Sequence, residues 1–326
     1  MSAVPEVLIG LAAGDALGGP FEFLTPEEVR ARYGDVTGPV ERNLGPSPFA
    51  PGELTDDTQM ALCLLAAYPA DDGLVARARA AFRDWLAGRP RDVGALTRAA
   101  LETDPFAAWK ASGFRSCGNG ALMRAAASVA AGRRGDDLLA DAVLLGAVTH
   151  ADPRSLLACA VYCAGLRALV DGASYRAAWE EAVESATRLD LEAAVAGPFG
   201  AEDAGAVASR RGDALREVWR AVRDAQLGRG AGNGGYAVST LQTAIAQGAA
   251  PSFAEGILPV VRAGDDADTV AAVTGAILAA RGLPPPPGWL RDLRCRERFA
   301  AWPWGDSIRG EEVLRRLRQA CLRAAG

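Results

Sequence analysis

The sequence predicts an all-α protein that folds as one compact bundle of helices. Ala, Leu and Arg are abundant, aromatic residues make up only 6% of the 326 residues, and no run of alternating β-branched residues indicates a strand. Clusters of glycine and proline separate the helical segments, at 14–20, 45–53, 118–120, 228–235 and 282–288. Since the average helix is short, we expect roughly a dozen helices.

The bulk composition restricts the classes of function. Half of the residues are hydrophobic, and 35 basic against 40 acidic residues leave a net charge of −5. No block of Lys or Arg resembles the footprint of a phosphate backbone, so we expect no general nucleic-acid binding. The N-terminus shows no signal-peptide pattern, and the most apolar stretch, 138–166, is interrupted by polar residues. That stretch predicts two buried helices and no membrane span.

The cysteines and the single histidine argue against disulfides and zinc. The six cysteines are Cys63, Cys117, Cys159, Cys163, Cys295 and Cys321, and none forms a C-x-x-C pair. Cys159 and Cys163 are four residues apart, so they share one helix face and suit core packing. We expect a reduced, cytoplasmic protein. With His150 as its only histidine, the chain is a poor candidate for a His/Cys zinc site.

The helix grammar is clearest around residue 160. Asp152 is placed to cap a helix, Pro153 suits its first position, and Gly172 follows its end. The polar stretch 180–234 predicts charged surface helices. The prolines at 284–287 begin a tail, and we expect its tryptophans to pack it back onto the body; these are Trp289, Trp302 and Trp304.

A first acidic string stands where an apolar helix begins. Thr55, Asp56, Asp57 and Thr58 precede the run "QMALCLL". Such residues cap the free N–H groups of a first turn and suit the positive end of the helix dipole. One capping residue is sufficient for that purpose, however, and adjacent carboxylates repel each other. The string is therefore either a helix start or part of a site.

A second acidic string repeats the pattern about 200 residues later. Asp265, Asp266, Asp268 and Thr269 precede an Ala/Val/Ile helix that ends at Gly282. If the two helix starts meet, four or five carboxylates converge, and they cannot all stay ionised without cations. All-oxygen ligands favour hard ions such as Mg²⁺, Mn²⁺ or Ca²⁺. We expect two such ions, because one would not offset that much charge.

A Gly-Asn-Gly turn supplies a third feature. Gly118, Asn119 and Gly120 lie just before a helical segment that contains Met123. Glycines allow close approach of the backbone to a ligand, and free N–H groups at a helix start suit phosphate. A tight turn with no ligand is the alternative interpretation.

The combination resembles the ADP-ribosylglycohydrolase family, all-α enzymes that remove ADP-ribose from modified targets. The segments that carry the resemblance run in order from residue 10 to about 283. They are "GLAAGDALGGPFEF" (10–23), "GELTDDTQMAL" (52–62), "CGNGALMRAA" (117–126), "THADP" (149–153), "GGYAVSTLQTAI" (234–245) and "GDDADTVAAVTGAILAA" (264–280). The resemblance implies an orthogonal multi-helix bundle in a single domain, 1–326, with 284–326 as a helical tail.

The resemblance also implies roles for particular residues. Two Mg²⁺ or Mn²⁺ ions would be bound by Thr55, Asp56, Asp57, Asp266, Asp268 and Thr269. Glu22 would be the mobile acidic residue near the ions and, with Asp57, a catalytic residue. The substrate would be contacted by Ser116, Gly118, Asn119, Gly120, His150 and Tyr236. His150 as an ordinary buried histidine, and Tyr236 as an ordinary buried tyrosine, are the alternatives.

Two departures from the family pattern matter. The family usually has GGDTDT where this chain has "GDDADT", so Asp265 replaces a glycine and Ala267 replaces a threonine. Some arginine-directed members carry an acidic residue ahead of the GNG turn, where this chain has Ser116. The second departure weakens transfer of arginine specificity and leaves Glu22 as the main candidate for the catalytic carboxylate.

The implied activity is hydrolysis at the anomeric carbon of the distal ribose of ADP-ribose. Hydrolysis would release ADP-ribose from a guanidine nitrogen, a serine oxygen, a nucleobase or a small molecule. The sequence does not decide which of these is the leaving group. A non-catalytic ADP-ribose-binding or structural protein on the same scaffold is one alternative. A metal-dependent nucleotide phosphatase or pyrophosphatase is another.

Overall fold

The computed structural model describes residues 4–325, and over that range its regular structure is helical. The α-helices are α1 Val4–Gly18, α2 Pro26–Tyr33, α3 Asp56–Ala67, α4 Leu74–Ala87, α5 Ala95–Glu102, α6 Pro105–Ala111, α7 Leu122–Ala130, α8 Gly135–Ala147, α9 Pro153–Val170, α10 Tyr175–Arg188, α11 Leu191–Phe199, α12 Ala201–Ala208, α13 Arg211–Gln226, α14 Ala237–Gly248, α15 Phe253–Ala263, α16 Ala267–Ala280, α17 Pro287–Leu290 and α18 Glu311–Ala325. Two 3₁₀ helices, Gly19–Phe21 and Gly305–Ser307, complete the set. The predicted all-α class is confirmed, and the excess over a dozen helices comes from short ones such as α6 and α17.

Helices α1 and α16 pack at unusually close range. A Cβ atom on Gly10 would lie 2.3 Å from the carbonyl oxygen of Gly275, and one on Gly14 would lie 2.0 Å from that of Ala271. Only glycine permits this approach. The same contact continues at Gly18, which faces the beginning of α16. The end of α1 is thereby held beside the second acidic string.

Helix α9 begins and ends as the sequence predicts. The carboxylate of Asp152 accepts a hydrogen bond from the Arg154 N–H at 3.0 Å, and Pro153 is the first helical residue. Gly172, at φ +92°, follows its end. By length and composition α9 would be long and apolar enough to cross a membrane, but 78% of it is buried inside the protein. It is a core helix here.

The six cysteines are free and buried, as expected for residues used in packing. The tail also packs as predicted. Trp302 is fully buried and meets Trp304 edge to face, with 5.1 Å between ring centroids, while Trp289 contacts Phe253 in the same manner at 6.0 Å.

The tail supports the loop that leads into α3. The Leu54 N–H donates to the Arg294 carbonyl oxygen at 2.8 Å, and the Arg294 N–H donates to the Gly52 carbonyl oxygen at 2.9 Å. Between them the fully buried Glu53 pairs with three arginines, Arg91, Arg294 and Arg296. The tail therefore holds the backbone just ahead of the first acidic string.

Candidate active site

The two acidic strings meet at the beginnings of α3 and α16. Asp56, Asp57 and Asp268 are buried, and each offers a carboxylate oxygen within 4.8 Å of the others. The Thr269 hydroxyl donates to Asp57 across the junction at 3.4 Å. The convergence expected from the sequence is thus observed, and it forms where two helix N-termini place positive dipole ends next to carboxylates.

Asp15 holds the first string in place. Its carboxylate accepts the N–H groups of Thr55 and Thr58, at 3.0 Å and 3.2 Å, and also the Thr58 hydroxyl. The Thr55 hydroxyl accepts the Asp57 N–H at 3.4 Å. Because Thr55 and Asp15 satisfy the first turn of α3, the side chains of Asp56 and Asp57 are not needed as caps. Sequence reasoning missed Asp15, although a carboxylate inside the apolar α1 was a visible signal.

The second string is tied to the glycine turn. Asp266 accepts a hydrogen bond from the Asn119 amide at 2.6 Å, and that amide also donates to the Thr240 hydroxyl at 3.0 Å. The Asp268 carboxylate accepts the N–H of Thr269 at 2.9 Å. Asn119 therefore links two of the three motifs.

Asp265 adopts a left-handed backbone conformation, with φ +55°. Its N–H donates to the Leu24 carbonyl at 2.7 Å, and its own carbonyl accepts the N–H of Phe23 at 2.8 Å. Phe23 is itself at φ +65° and is 58% exposed. This paired contact fastens the segment after Glu22 to the second string, and it explains why glycine would suit position 265.

The glycine turn accommodates the histidine. A Cβ on Gly118 would lie 3.1 Å from Nε2 of His150, and one on Gly120 would lie 3.0 Å from its Cε1. A side chain at either position would require the imidazole to shift by a few tenths of an ångström. The Asn119 N–H donates to the Gly235 carbonyl at 3.1 Å, which joins the turn to the glycine-rich segment before α14.

A cavity of about 500 Å³ lies between the strings and the turn. Glu22 lines it from one side, and its carboxylate accepts a hydrogen bond from the Ser47 hydroxyl at 3.3 Å. Asp92, in the loop before α5, also lines the cavity. Nothing in the segment "RDVG" distinguishes Asp92 from an ordinary loop residue, so only the tertiary structure reveals it.

Most of the site residues predicted from the sequence line this cavity, and four of them do not. The cavity lining contains Glu22, Asp56, Asp266, Asp268, Thr269, Gly118, Asn119, Gly120 and His150. Thr55 and Asp57 are outside the lining, but Asp57 accepts hydrogen bonds from the hydroxyls of Thr55 and of Thr269, which lines the cavity. Ser116 and Tyr236 lie outside the lining. The Tyr236 hydroxyl donates to Glu217 and accepts from Arg154, so it is engaged elsewhere. Contact of Ser116 or Tyr236 with a substrate stays a prediction.

Burial raises the pKa values of the carboxylates around the cavity and so disfavours their simultaneous ionisation. It raises the pKa of Glu22 to about 9, with help from the charges of Asp92 and Asp56. The pKa values of Asp57 and Asp268 are also raised well above normal, first by burial and then by neighbouring carboxylates. A bound cation would reverse this preference.

The residues present fit a hard divalent ion. One carboxylate oxygen of Asp57, Oδ1, is buried without a hydrogen-bond partner among residues 4–325. Leaving such an oxygen unpaired is costly, and the surrounding donors are carboxylates and hydroxyls. Oxygen donors of this kind suit Mg²⁺ or Mn²⁺.

The fold and the cavity are those of an all-α protein with a buried acidic site at converging helix starts. The sequence profile described as ADP-ribosylglycohydrolase matches residues 2–320, and the chain belongs to that family. The profile reaches well into the tail, beyond residue 283, where the motif resemblance ended.

Three relatives illustrate the similarity. The chain is 31% identical to the ADP-ribosylarginine hydrolase Tri1 of Serratia proteamaculans, over 90% of this chain and 75% of that protein. It is 29% identical to the ADP-ribosyl-[dinitrogen reductase] glycohydrolase of Rhodospirillum rubrum, over 98% and 95%. A solved structure titled ADP-ribosylglycohydrolase-related protein complex matches with a TM-score of 0.67 and 27% identity, over 100% of this chain and 98% of that one.

Proposed function

We propose that this protein hydrolyses the glycosidic bond between ADP-ribose and a modified target and releases ADP-ribose. The observation that carries the proposal is the buried group Asp56, Asp57 and Asp268, of which Asp56 and Asp268 line one cavity together with the Gly-Asn-Gly turn. Family membership and the names of the relatives support the reaction class.

The proposal includes two Mg²⁺ or Mn²⁺ ions. Their ligands would be Thr55, Asp56, Asp57, Asp266, Asp268 and Thr269. When bound, such ions neutralise the carboxylates, orient ribose hydroxyls and lower the pKa of a coordinated water. The unpartnered Oδ1 of Asp57 and the raised pKa values of the cluster support this assignment.

The chain's own groups orient the substrate and move the proton. The transition state of glycoside hydrolysis has oxocarbenium character. Glu22 lines the cavity and its pKa, near 9 without cations, falls when positive charge is placed nearby. It is therefore suited to accept a proton from the attacking water. Backbone N–H groups at the start of α7, after the turn, suit the diphosphate.

We infer that the leaving group is an arginine guanidinium on a protein. Two relatives are named for arginine or for the protein dinitrogen reductase. Ser116 carries no carboxylate, but Asp92 lines the cavity and supplies one from another segment. Carboxylates bind guanidinium groups in paired hydrogen bonds. We also propose a cytoplasmic location, because the six cysteines are free and buried.

The test is incubation with ADP-ribosylated proteins of arginine and serine linkage, with Mg²⁺ or Mn²⁺, followed by mass spectrometry of the products. We expect free ADP-ribose from the arginine-linked substrate, and loss of turnover with chelator or in Asp57→Asn. Asp190→Asn is the matched control, since Asp190 caps α11 away from the cavity and Asn caps equally well. AMP and ribose phosphate as products would overturn the proposal in favour of a pyrophosphatase. Tight ADP-ribose binding without turnover of any substrate would indicate a binding protein.

A further inference from the structure

A fully buried arginine lies beneath the glycine turn. Arg124 is on α7, and its Nη1 donates to the carbonyl oxygen of Gly120. Its Nη2 donates to the hydroxyl oxygen of Thr149 at 2.5 Å. The guanidinium also stacks on Phe82, 4.6 Å from the ring centroid. These contacts fix the guanidinium in one orientation.

The hydroxyl of Thr149 connects the guanidinium of Arg124 to the imidazole of His150. Its oxygen is 2.8 Å from Nδ1 of His150. A hydroxyl has a single proton, and among residues 4–325 no other acceptor lies within reach of this buried one. Because Arg124 can only donate, the Thr149 proton goes to His150. Nδ1 is then the acceptor nitrogen.

The second ring nitrogen faces the cavity. His150 lines it, and Nε2 makes no hydrogen bond to residues 4–325. It lies above the glycine turn, close enough that a Cβ on Gly118 would be 3.1 Å away. In a neutral imidazole whose Nδ1 accepts, Nε2 carries the proton.

The surroundings keep the ring neutral. Burial, and secondly the positive charge of Arg124, lower the pKa of His150 to about 3. Among residues 4–325 no carboxylate hydrogen-bonds the imidazole: Asp266 is engaged by Asn119, while Asp56 and Asp268 belong to the carboxylate cluster.

We propose that Arg124 and Thr149 are positioning residues that hold His150 as the Nε2–H tautomer, so that His150 donates a hydrogen bond to an oxygen acceptor of the ligand. A neutral N–H donor suits a phosphate or ribose oxygen, whereas it can neither bind a metal ion nor accept a proton through Nε2. The tautomer is inferred from the contacts of Arg124, Thr149 and His150 and does not depend on the proposed function. The identity of the acceptor as part of ADP-ribose rests on the proposed function.

The single histidine makes the tautomer directly measurable. In protein labelled with ¹⁵N-histidine, only His150 contributes imidazole signals. Long-range ¹H–¹⁵N correlation spectra of the intact protein should show an unprotonated Nδ1 and a protonated Nε2, unchanged from pH 6 to pH 8. A protonated Nδ1, or a ring that titrates in this range, would overturn the proposal.

Two substitutions at Thr149 test whether its hydroxyl sets the tautomer of His150. Thr149→Val removes the hydroxyl at nearly constant volume, and Thr149→Ser keeps it. We expect the valine variant to show mixed tautomers and about tenfold weaker binding of ADP-ribose, the size of one lost hydrogen bond. The serine variant should match the native protein in both measurements. If the valine variant keeps a single Nε2–H tautomer, Thr149 and Arg124 do not set it.

Titration with ADP-ribose separates this proposal from the proposed function. On binding, the Nε2 signal should shift while Nδ1 stays unprotonated. If the tautomer is as expected but ADP-ribose neither binds nor is released from any substrate, the proposed function fails. The positioning of His150 by Arg124 and Thr149 is then still supported. If ADP-ribose binds and Nε2 does not respond, the donor role of His150 is wrong.

Discussion

The aspartate at position 265 occupies a backbone conformation that favours glycine. Non-glycine residues in the left-handed region cost about 1 kcal/mol or more, and such strain persists where the surrounding structure imposes it. Here the hydrogen bonds to Phe23 and Leu24 impose it. The strained contact joins the Glu22 segment to the second acidic string, so it helps to shape the cavity.

A matched pair of variants separates the backbone of Asp265 from its carboxylate. Asp265→Gly and Asp265→Ala both remove the charge, but only glycine adopts φ +55° without strain. We expect the alanine variant to be less stable than the glycine variant by about 1 kcal/mol in denaturant unfolding. Both variants should keep activity within about tenfold of the native protein. Equal stability would show that the conformation is not strained, and complete inactivation would make Asp265 a direct ligand.

Glu22 provides the sharpest test of proton transfer. Glu22→Gln preserves shape and hydrogen bonding to Ser47 but removes the base. We expect turnover to fall by about 10²–10⁴-fold, the usual value of general acid–base catalysis, with ADP-ribose affinity close to native. Single-turnover kinetics and calorimetric titration measure the two quantities.

The exposed Glu27, five residues away on α2, supplies the control variant Glu27→Gln for this test. It should behave as the native protein. If turnover and ADP-ribose binding fall together in Glu22→Gln, the role of Glu22 is to hold the ions or to shape the site.

At the scale of helices, the close packing of α1 against α16 sets the distance between the two halves of the site. Gly14 meets the backbone of Ala271, so no side chain fits there. We expect Gly14→Ala to lower the free energy of unfolding by about 1–3 kcal/mol, as overpacking does. Because the beginning of α16 carries Asp268, divalent-ion affinity should fall as well.

Gly205→Ala is the matched control for this variant. Gly205 lies inside α12 with nothing within 4 Å of an added Cβ. Alanine favours helix more than glycine, so this variant should be as stable as the native protein or up to about 1 kcal/mol more stable. If Gly14→Ala is equally harmless, the two helices can separate without cost and the packing argument is wrong.

For the whole molecule, the buried carboxylates predict that stability depends on both pH and ions. Their pKa values are raised in the folded state, to about 6 for Asp15 and about 9 for Glu22. The ion-free protein therefore has the full stabilising contribution of these groups below about pH 4, their unfolded range, and loses it as the pH rises through the folded values.

We expect the melting temperature in chelator to be lower at pH 8 than at pH 5, and added Mg²⁺ or Mn²⁺ to restore it at pH 8 by binding the folded state. Exposed pairs whose carboxylate pKa is lowered, such as Glu28 with Arg32, lose stability only at more acidic pH. The lowered pKa of His150 acts in the opposite direction below about pH 6.5, but this contribution is the same with and without ions, so the ion-dependent difference between pH 5 and pH 8 reports the carboxylates. Asp57→Asn should reduce both effects. A melting temperature that does not change when Mg²⁺ or Mn²⁺ is added at pH 8 would argue against the metal site.

Local patterns in the sequence were sufficient to predict the helical class and several element boundaries. The cap at Asp152, the proline after it and the glycine at 172 act within one turn of helix, so neighbouring residues determine them. Short helices such as α17 were not predicted, because four residues carry no hydrophobic period.

The sequence by itself also determined that two acidic helix starts exist and that they exceed what capping needs. Only the tertiary structure decided what surrounds them. Asp15 and Asp92 reach the site from α1 and from a loop, and the Thr149 hydroxyl links Arg124 to His150. The physical reason is range: caps and periodicity act over a few residues, whereas burial, pKa and hydrogen-bond direction at this site depend on packing between segments up to about 250 residues apart, such as α1 and α16.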